Sequence, residues 1–453
     1  MIHDVGDRLQ TAVRGRVLHP GGHGYEEARR VFNGMIDRRP ALILQCAHEQ
    51  DVIAGIQFGR ESRLPVAVRG GGHNVAGNAV CEGGLVIDLG LMRSVGVDTS
   101  ARRATCEGGA TWGEFDRATQ AHGLATPGGI ISSTGVAGLT LGGGIGTLRG
   151  LHGLTCDNLV AATVVTAAGD LVRAGEGGDP DLLWGLRGGG GNFGVASSFT
   201  FDVHPLGPVV AGPIEAPQTR EFLDFYRSWL DTLPDAFSAD LMLRRGAGGS
   251  PTCLVLAFHA GPQREADRLL APLLERFRPV ANVAPRSYVE SQCLYDAGSP
   301  WAQRNYWKSN GMAELTDGAI ETLLERFAQA PSPLSVIGLE FLHGQIHRLD
   351  PEADAVGFKR ARFDLLIESK WLDPRADETN IAWARDTWAA MQAHVAGPAY
   401  TNYLVDEPQE RVRAAYGEQT YARLVRLKDR YDPENFFRMN QNVRPSQEVG
   451  DDR

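Results

Sequence analysis

Val66-Ala67-Val68-Arg69-Gly70-Gly71-Gly72-His73-Asn74 is the stretch on which the fold of this 453-residue chain turns. A short strand-like run leads directly into three glycines and a histidine. Residues without Cβ let successive N–H groups converge into a concave nest that suits a pyrophosphate, and Arg69 can add charge to it. A tight turn capped by a buried histidine is the other reading of the same residues. Outward from this loop, helix and strand alternate. Glu26 to Met35 reads as a short helix, Ala41 to Gln45 as a strand, and Asp51 to Ser62 as an amphipathic helix with Val52, Ile53, Ile56 and Phe58 on one side. Leu64 to Arg69 is the strand that feeds the glycines. Leu85 to Leu89, Leu159 to Thr166 and Ser197 to Val203 follow as strands, and Trp112 to His122 and Asp181 to Leu186 as helices. The first twenty-five residues are polar and turn-rich.

Glycine is the informative excess. Of 55 glycines, 40 lie in the first 200 residues, clustered at 70–72, 142–144 and 188–191, so this half brings its backbone close to something. Gly189-x-Gly191-x-x-Gly194 formally matches the dinucleotide fingerprint, but that motif needs a strand before it and a helix after it. Here Asp181 to Arg187 is helical before the glycines and Val195 to Val203 is a strand after them, which argues against a Rossmann site, and no Walker A sequence is present. From about Gly207 the glycine density collapses. Helical patterns such as Thr219 to Leu230 and Gln263 to Phe277 then alternate with strands such as Thr252 to Phe258 and Phe363 to Glu368, which reads as a second domain. A last helix, Tyr416 to Tyr431, leads into an extended tail from Phe436 to Pro445.

Composition narrows the function. At 43% hydrophobic and 22% charged, with no run approaching about 18 apolar residues, the chain reads as a soluble protein without a membrane span. Met1 to Arg8 shows no basic segment leading into an apolar one, so a cytoplasmic location is expected. A net charge of −10 and the absence of a basic run interleaved with aromatics argue against nucleic acid or an anionic membrane as partner. The six cysteines show no Cys-x-x-Cys spacing, so neither a zinc site nor a disulfide framework is signalled. His343 and His347 have metal-like i, i+4 spacing, yet they lack the glutamate of His-Glu-x-x-His, and no metal is expected. A small-molecule substrate is the expected partner, with a monomer or homodimer left open.

Six blocks carry a family resemblance over nearly the whole chain. They are Arg69 to Asn74, Thr126-Pro127-Gly128-Gly129, Gly142-Gly143-Gly144-Ile145-Gly146, Gly153-Leu154-Thr155-Cys156-Asp157-Asn158-Leu159, Arg187 to Gly194, and the closing Tyr431-Asp432-Pro433-Glu434-Asn435-Phe436-Phe437-Arg438-Met439-Asn440-Gln441-Asn442. Together they resemble the berberine-bridge-enzyme-like FAD-linked oxidases. The resemblance implies an α+β, two-domain fold of the vanillyl-alcohol-oxidase type. Residues 1–205 would form the FAD-binding domain, 206–405 an α+β substrate domain built on an antiparallel sheet, and 406–453 a C-terminal segment returning to the FAD-binding domain. It further implies that FAD is bonded twice, from His73 to the flavin 8α-methyl and from Cys156 to C6. Arg69, Gly70, Gly71, Gly72, Asn74, Ser132, Ser133, Gly135, Val136, Gly138, Gly142, Gly143, Asp157, Val195, Asn440 and Asn442 would complete the cofactor site. Val136 would leave O2 a path beside C4a. A cysteine that forms such a bond must act as a thiolate, whereas a structural one is an apolar filler.

The base should come from the substrate side. Tyr400-Thr401-Asn402-Tyr403 resembles the family's Tyr-x-Asn-Tyr block, whose second tyrosine deprotonates the substrate hydroxyl, so the resemblance assigns the catalytic role to Tyr403 with Tyr400 beside it. In a strand, i and i+3 point to opposite faces, and the two tyrosines need a bend to converge; two tyrosines that merely pack a sheet are the alternative. A phenol titrates near pH 10, so a tyrosine base needs a cation or donors to lower it. Lys308, one of only four lysines against 41 arginines, is the candidate tuner, with a surface salt bridge as its plainer role. His343 departs from the family pattern and reads either as a substrate contact in the cleft or as a core histidine. The whole indicates oxidation of an alcohol or hemiacetal carbon, of sugar or secondary-metabolite type, by hydride transfer to flavin N5 with O2 reduced to H2O2. Amine oxidation, oxidative cyclisation by a flavin oxygenase, an electron-transferring dehydrogenase, and a non-catalytic FAD-binding or carbohydrate-recognition protein are the rivals.

Overall fold

The structure is a computed structural model that describes residues 2–405 and 407–447. Apolar runs without alternation, Leu42-Ile43-Leu44 and Leu85-Val86-Ile87, form strands buried on both faces, as a parallel arrangement requires. Leu42–Gln45 and Val66–Arg69 flank Leu85–Asp88 in parallel, and Arg16–Leu18 adds an antiparallel edge to complete a four-stranded sheet. Helix Glu49–Ser62 lies on this sheet and buries Val52 and Ile56, with Ile53 and Phe58 only partly covered. A second, antiparallel sheet of five strands has Val195–Asp202 at its centre between Arg103–Glu107 and Leu159–Val165.

Strands β1 (Val209–Pro217), β2 (Phe237–Arg245), β3 (Pro251–His259), β4 (Arg304–Met312), β5 (Val336–Phe341) and β6 (Phe363–Trp371) form most of an eight-stranded antiparallel sheet in the order β1-β3-β2-β5-β6-β4. Period-2 alternation gives this sheet two different faces. Leu241, Leu243, Ile337, Leu339, Leu365 and Ile367 pack against the helices Arg220–Trp229, Asp317–Ala328 and Asp377–Met391. The intervening residues Met242, Glu340, Leu366 and Glu368 face the glycine-rich loops across a cavity. After β6 and its helix the chain returns, and Tyr416, Leu424, Leu427 and Tyr431 join the core that holds Phe193 and Phe199. Among the described residues, no helix is long and apolar enough to cross a membrane.

Three elements differ from the sequence-based expectation. Ile2–Ala12 is a helix, obscured by Gly6, where an added Cβ would lie 2.1 Å from the His19 ring. The helix expected over Glu26 to Met35 shrinks to Tyr25–Ala28, because Asn33 is pinned outside the helix by donating to the carbonyls of Val75 at 2.7 Å and Asn305 at 2.9 Å. The last helix begins at Glu418, since Gly417 at φ 79° separates it from a preceding helix Gln409–Tyr416.

Candidate active site

A cavity of about 800 Å³ separates the open face of the eight-stranded sheet from the glycine-rich loops. Val66 and Val68 reach its wall, and the backbone of Gly70, Gly71 and Gly72 continues it. The alternation that turns Val68 inward turns Arg69 away. Arg69 is buried, donates to the Ala28 carbonyl and stands 3.9 Å from Asp88, so it lends the cavity no cation as the sequence reading had it do. At Gly71 two loops touch: an added Cβ would sit 2.3 Å from the Gly135 nitrogen.

The walls suit FAD on their own terms. Among the described residues, none of the N–H groups of Gly70 to Asn74 donates within the protein, which leaves a row of donors unspent. A Cβ on Gly138 or Gly191 would meet nothing within 4 Å, so both leave cavity space for a planar or phosphate-bearing group. The buried Asn440 Oδ1 has no partner, while its amide nitrogen donates to the Gly191 and Phe437 carbonyls. Of the residues expected at the cofactor, Gly70, Gly71, Gly72, His73, Asn74, Gly135, Gly138, Gly142, Val195 and Asn440 line the cavity. Arg69, Ser132, Ser133, Val136, Gly143, Cys156, Asp157 and Asn442 stand off the wall.

His73 is stacked on Phe32, with ring centroids 4.6 Å apart, and meets the edge of Trp301 at 5.4 Å. Its Nε2 lies 2.9 Å from Ser133 Oγ, and burial lowers its pKa to about 4, so at neutral pH the ring is uncharged and one nitrogen keeps its lone pair. That is the state an attacking imidazole needs. Ser132 turns aside to Asp296, donating from its N–H at 2.8 Å and its hydroxyl at 2.6 Å. Cys156 is placed differently from the expectation. It is fully buried among Ile145, Leu154, Phe358 and Tyr400, and burial, reinforced by Asp157 and Asp354, raises its pKa well above the ordinary thiol value. Asp157 and Asp354 are both engaged by the ammonium of Lys359, which fills the one cluster of potential metal ligands found among the described residues. Val136 is also withdrawn, fully buried in the core with Ala137 and Leu159 and off the cavity wall.

Thr401–Tyr403 is a single 3-10 turn, and its three-residue repeat supplies the bend that brings Tyr400 and Tyr403 together, ring centroids 4.7 Å apart. The two hydroxyls have separate tasks. Tyr400 Oη accepts from the Gly144 N–H at 2.9 Å and from the Asn402 amide at 2.7 Å, away from the cavity. Tyr403 lines the cavity beside Trp307, and its hydroxyl donates to Glu340 Oε1 at 3.2 Å. Burial, and then the negative charge of Glu340, raises the Tyr403 pKa well above 10, the reverse of the lowering a phenolate base needs. Lys308 does not correct this. It sits on the helix-covered side of β4, paired with Glu407 and lying over the rings of Tyr306 and Trp388. His343 likewise misses the cleft: it stacks on Phe341 at 4.4 Å, and burial lowers its pKa to about 4.

Residues 40–175 match the family model described as an FAD binding domain, and residues 399–444 match the one described as berberine and berberine like. The chain is 31% identical to (R)-6-hydroxynicotine oxidase of Paenarthrobacter nicotinovorans over 96% of its own length and 97% of that protein. The chain belongs to the berberine-bridge-like FAD-linked oxidoreductases. An FAD-linked oxidoreductase of Bacillus subtilis (strain 168), YgaK, is equally similar, at 31% identity over 96% of this chain and 98% of that one. The crystal structure of 6-hydroxy-D-nicotine oxidase from Arthrobacter nicotinovorans superposes with a TM-score of 0.88 at 28% identity, covering 95% of this chain and 98% of that one. Xylooligosaccharide oxidase from Myceliophthora thermophila C1 shares the fold, with a TM-score of 0.88 at 24% identity over 98% and 99% of the two chains. This berberine-bridge-like protein is therefore an FAD-dependent oxidoreductase on a vanillyl-alcohol-oxidase type α+β scaffold.

Sequence reasoning missed Glu340 and Asp364 in this oxidoreductase. Both were visible as lone acids in apolar strand runs, Leu339-Glu340-Phe341 and Phe363-Asp364-Leu365, where a charge is costly without a reason. Phe32 and Trp301, which hold the His73 ring, gave no local signal.

Proposed function

We propose that the protein is an oxidase that removes a hydride from an alcohol or hemiacetal carbon of a small molecule, with FAD attached through His73 alone and O2 as the final acceptor. Residues 1–205 and 406–453 would hold the cofactor and 206–405 the substrate. Bound FAD supplies the two-electron acceptor at N5, and its reoxidation by O2 yields H2O2. The observation that carries this reading is the Tyr403 hydroxyl on the cavity wall, hydrogen-bonded at 3.2 Å to a buried carboxylate. A substrate hydroxyl placed against Tyr403 Oη gives up its proton there as Tyr403 passes its own to Glu340, so the phenol acts as a conduit and Glu340 as the acceptor. Trp307 and Tyr400 hold the Tyr403 ring in place through edge-to-face contacts.

A single bond to flavin is favoured over two because Cys156 is walled off and held as a thiol, whereas His73 is neutral, stacked and at the cavity wall. Amine oxidation is the second reading. It is supported by the likeness to (R)-6-hydroxynicotine oxidase and by Glu340, whose carboxylate suits an N–H as well as an O–H donor. Anaerobic mixing of purified protein with alcohol, sugar and amine libraries tests both, through bleaching of flavin absorbance and H2O2 release on admitting air. Bleaching by none of them would sink the oxidase reading.

A further inference from the structure

Glu340 on β5 and Asp364 on β6 face one another across the sheet as a register pair. Residues directly opposite on antiparallel strands share a face, with Cβ atoms about 5 Å apart. Both are buried, Glu340 at 6% exposure and Asp364 at 0%. Glu340 Oε1 accepts from Tyr403 Oη, and Asp364 Oδ1 accepts from Ser309 Oγ at 2.9 Å. Their other oxygens, Oε2 and Oδ2, are buried without a partner. The cations nearby are spent elsewhere. Arg149 is paired with Asp240 and donates to the carbonyls of Phe341 and Gly146, Lys308 is paired with Glu407, and Lys370 is paired with Glu368. Two facing carboxylates in a dry site with no counter-ion do not both ionise, and one proton held between them gives a donor to one orphan oxygen and an acceptor to the other.

We propose that Glu340 and Asp364 share a single proton and together form the proton acceptor of the site, matched to an apolar alcohol or amine that presents one donor, and not to a sugar. The assignment rests on the FAD-oxidase reading for its chemistry, but the shared proton stands on the register pair itself. In the step, the substrate O–H bond breaks and its proton goes to Tyr403 Oη. The Tyr403 proton passes to Glu340 Oε1, and the C–H electron pair leaves as hydride to FAD as the carbonyl forms. The substrate class follows from the wall around Glu340. Met242, Leu256, Val336, Leu366 and Trp307 offer almost nothing to hydroxyls, and the charged side chains beside them are paired, Glu368 with Lys370 and Arg244 with Glu215, which leaves Arg244 Nε as a buried donor without a partner. The extra hydroxyls of a sugar would lose water against the apolar side chains, with few unspent donors beside them to replace it.

The groups that face the pair and set its titration are Tyr403 and Tyr400 from the 3-10 turn, Ser309 on β4, Asp240 on β2 with its partner Arg149, and Glu368 on β6. At neutral pH the pair carries one negative charge and can take up a proton; acidification fills it, and the rate falls. Infrared titration of the holoenzyme is expected to show a protonated-carboxyl band at neutral pH that is shifted or lost in both Glu340→Gln and Asp364→Asn, with the flavin retained in each. No such band in the wild type, or a band unmoved by either substitution, overturns the shared proton whatever the turnover. In anaerobic stopped flow, benzyl alcohol, cinnamyl alcohol and N-methylbenzylamine are the apolar probes, with glucose and cellobiose as the sugars. Flavin is expected to bleach with an apolar probe only, about a hundredfold or more slower in Glu340→Gln. Bleaching by a sugar at a comparable rate overturns the substrate class. Bleaching by neither set, in protein that dithionite reduces, removes the substrate class and weighs against the oxidase reading, leaving the infrared result to decide the pair.

Discussion

Replacing Tyr403 by phenylalanine removes one oxygen and leaves the ring between Trp307 and Tyr400, whose centroids lie 5.5 Å and 4.7 Å away, so the fold and bound flavin should survive. Two losses follow. Glu340 forfeits the 3.2 Å hydrogen bond that favours its ionised form, a contact worth about 1–3 kcal/mol for a buried charged acceptor. The substrate proton also loses its conduit, and a positioned proton-transfer group contributes about 10² to 10⁴ in rate, or roughly 3 to 5 kcal/mol of barrier. Flavin reduction in Tyr403→Phe should therefore fall by at least about a hundredfold. Burial and the neighbouring carboxylates hold the Tyr403 pKa well above 10, so between pH 6 and about 9 the phenol itself does not titrate. The rise of rate with pH expected of the wild type reports the carboxyl pair losing a proton. Without its hydrogen-bond donor Glu340 is harder to ionise, and the rise should persist in the variant with its midpoint at higher pH. Anaerobic stopped flow across that range measures both quantities. Reduction within about tenfold of wild type, or a residual rate that has lost its pH dependence altogether, would refute the division of labour between Tyr403 and Glu340.

Acid precipitation should leave flavin bound in the wild type and in Cys156→Ala, and release it into the supernatant from His73→Ala; retention in His73→Ala would restore the second bond. Val136→Leu should lower stability by about 1–3 kcal/mol through overpacking and slow neither half-reaction selectively, as thermal melts and stopped flow would show. Gly71→Ala places a methyl 2.3 Å from the Gly135 nitrogen, so the two loops must part and covalent flavin content should fall; full flavin loading would show that the loops yield freely. Asp116 is buried, which raises its pKa to about 8 against a small opposing effect from Gln292. The unfolded chain gives up this proton near pH 4 and the folded one only near 8, so stability falls as pH rises through that window, at about 1.4 kcal/mol per unit. Urea titrations of Asp116→Asn should lack that contribution.

Much of this protein was legible without coordinates. Glycine placement and period-2 runs are local facts, which gave the strand before Gly70 and the reversed order around Gly189 to Gly194, and the ordered blocks through Asn442 pointed, by their family resemblance, to an FAD-binding scaffold. The Tyr400-Thr401-Asn402-Tyr403 block likewise announced itself. What lay beyond reach was direction. Cys156 and Val136 sit in blocks that surround the cofactor cavity, yet their side chains point into the core, and a single residue of phase along a loop decides which way. Lys308 and Trp307 are chain neighbours on opposite faces of β4, so one meets Glu407 and the other Tyr403. Most of all, Glu340 and Asp364 are 24 positions apart and acquire meaning only when β5 and β6 pair in register inside a site that leaves their outer oxygens without partners. Local motifs, through the family resemblance they carry, pointed to the cofactor, whereas strand register and burial, properties of no single segment, decided which groups are brought together at the site.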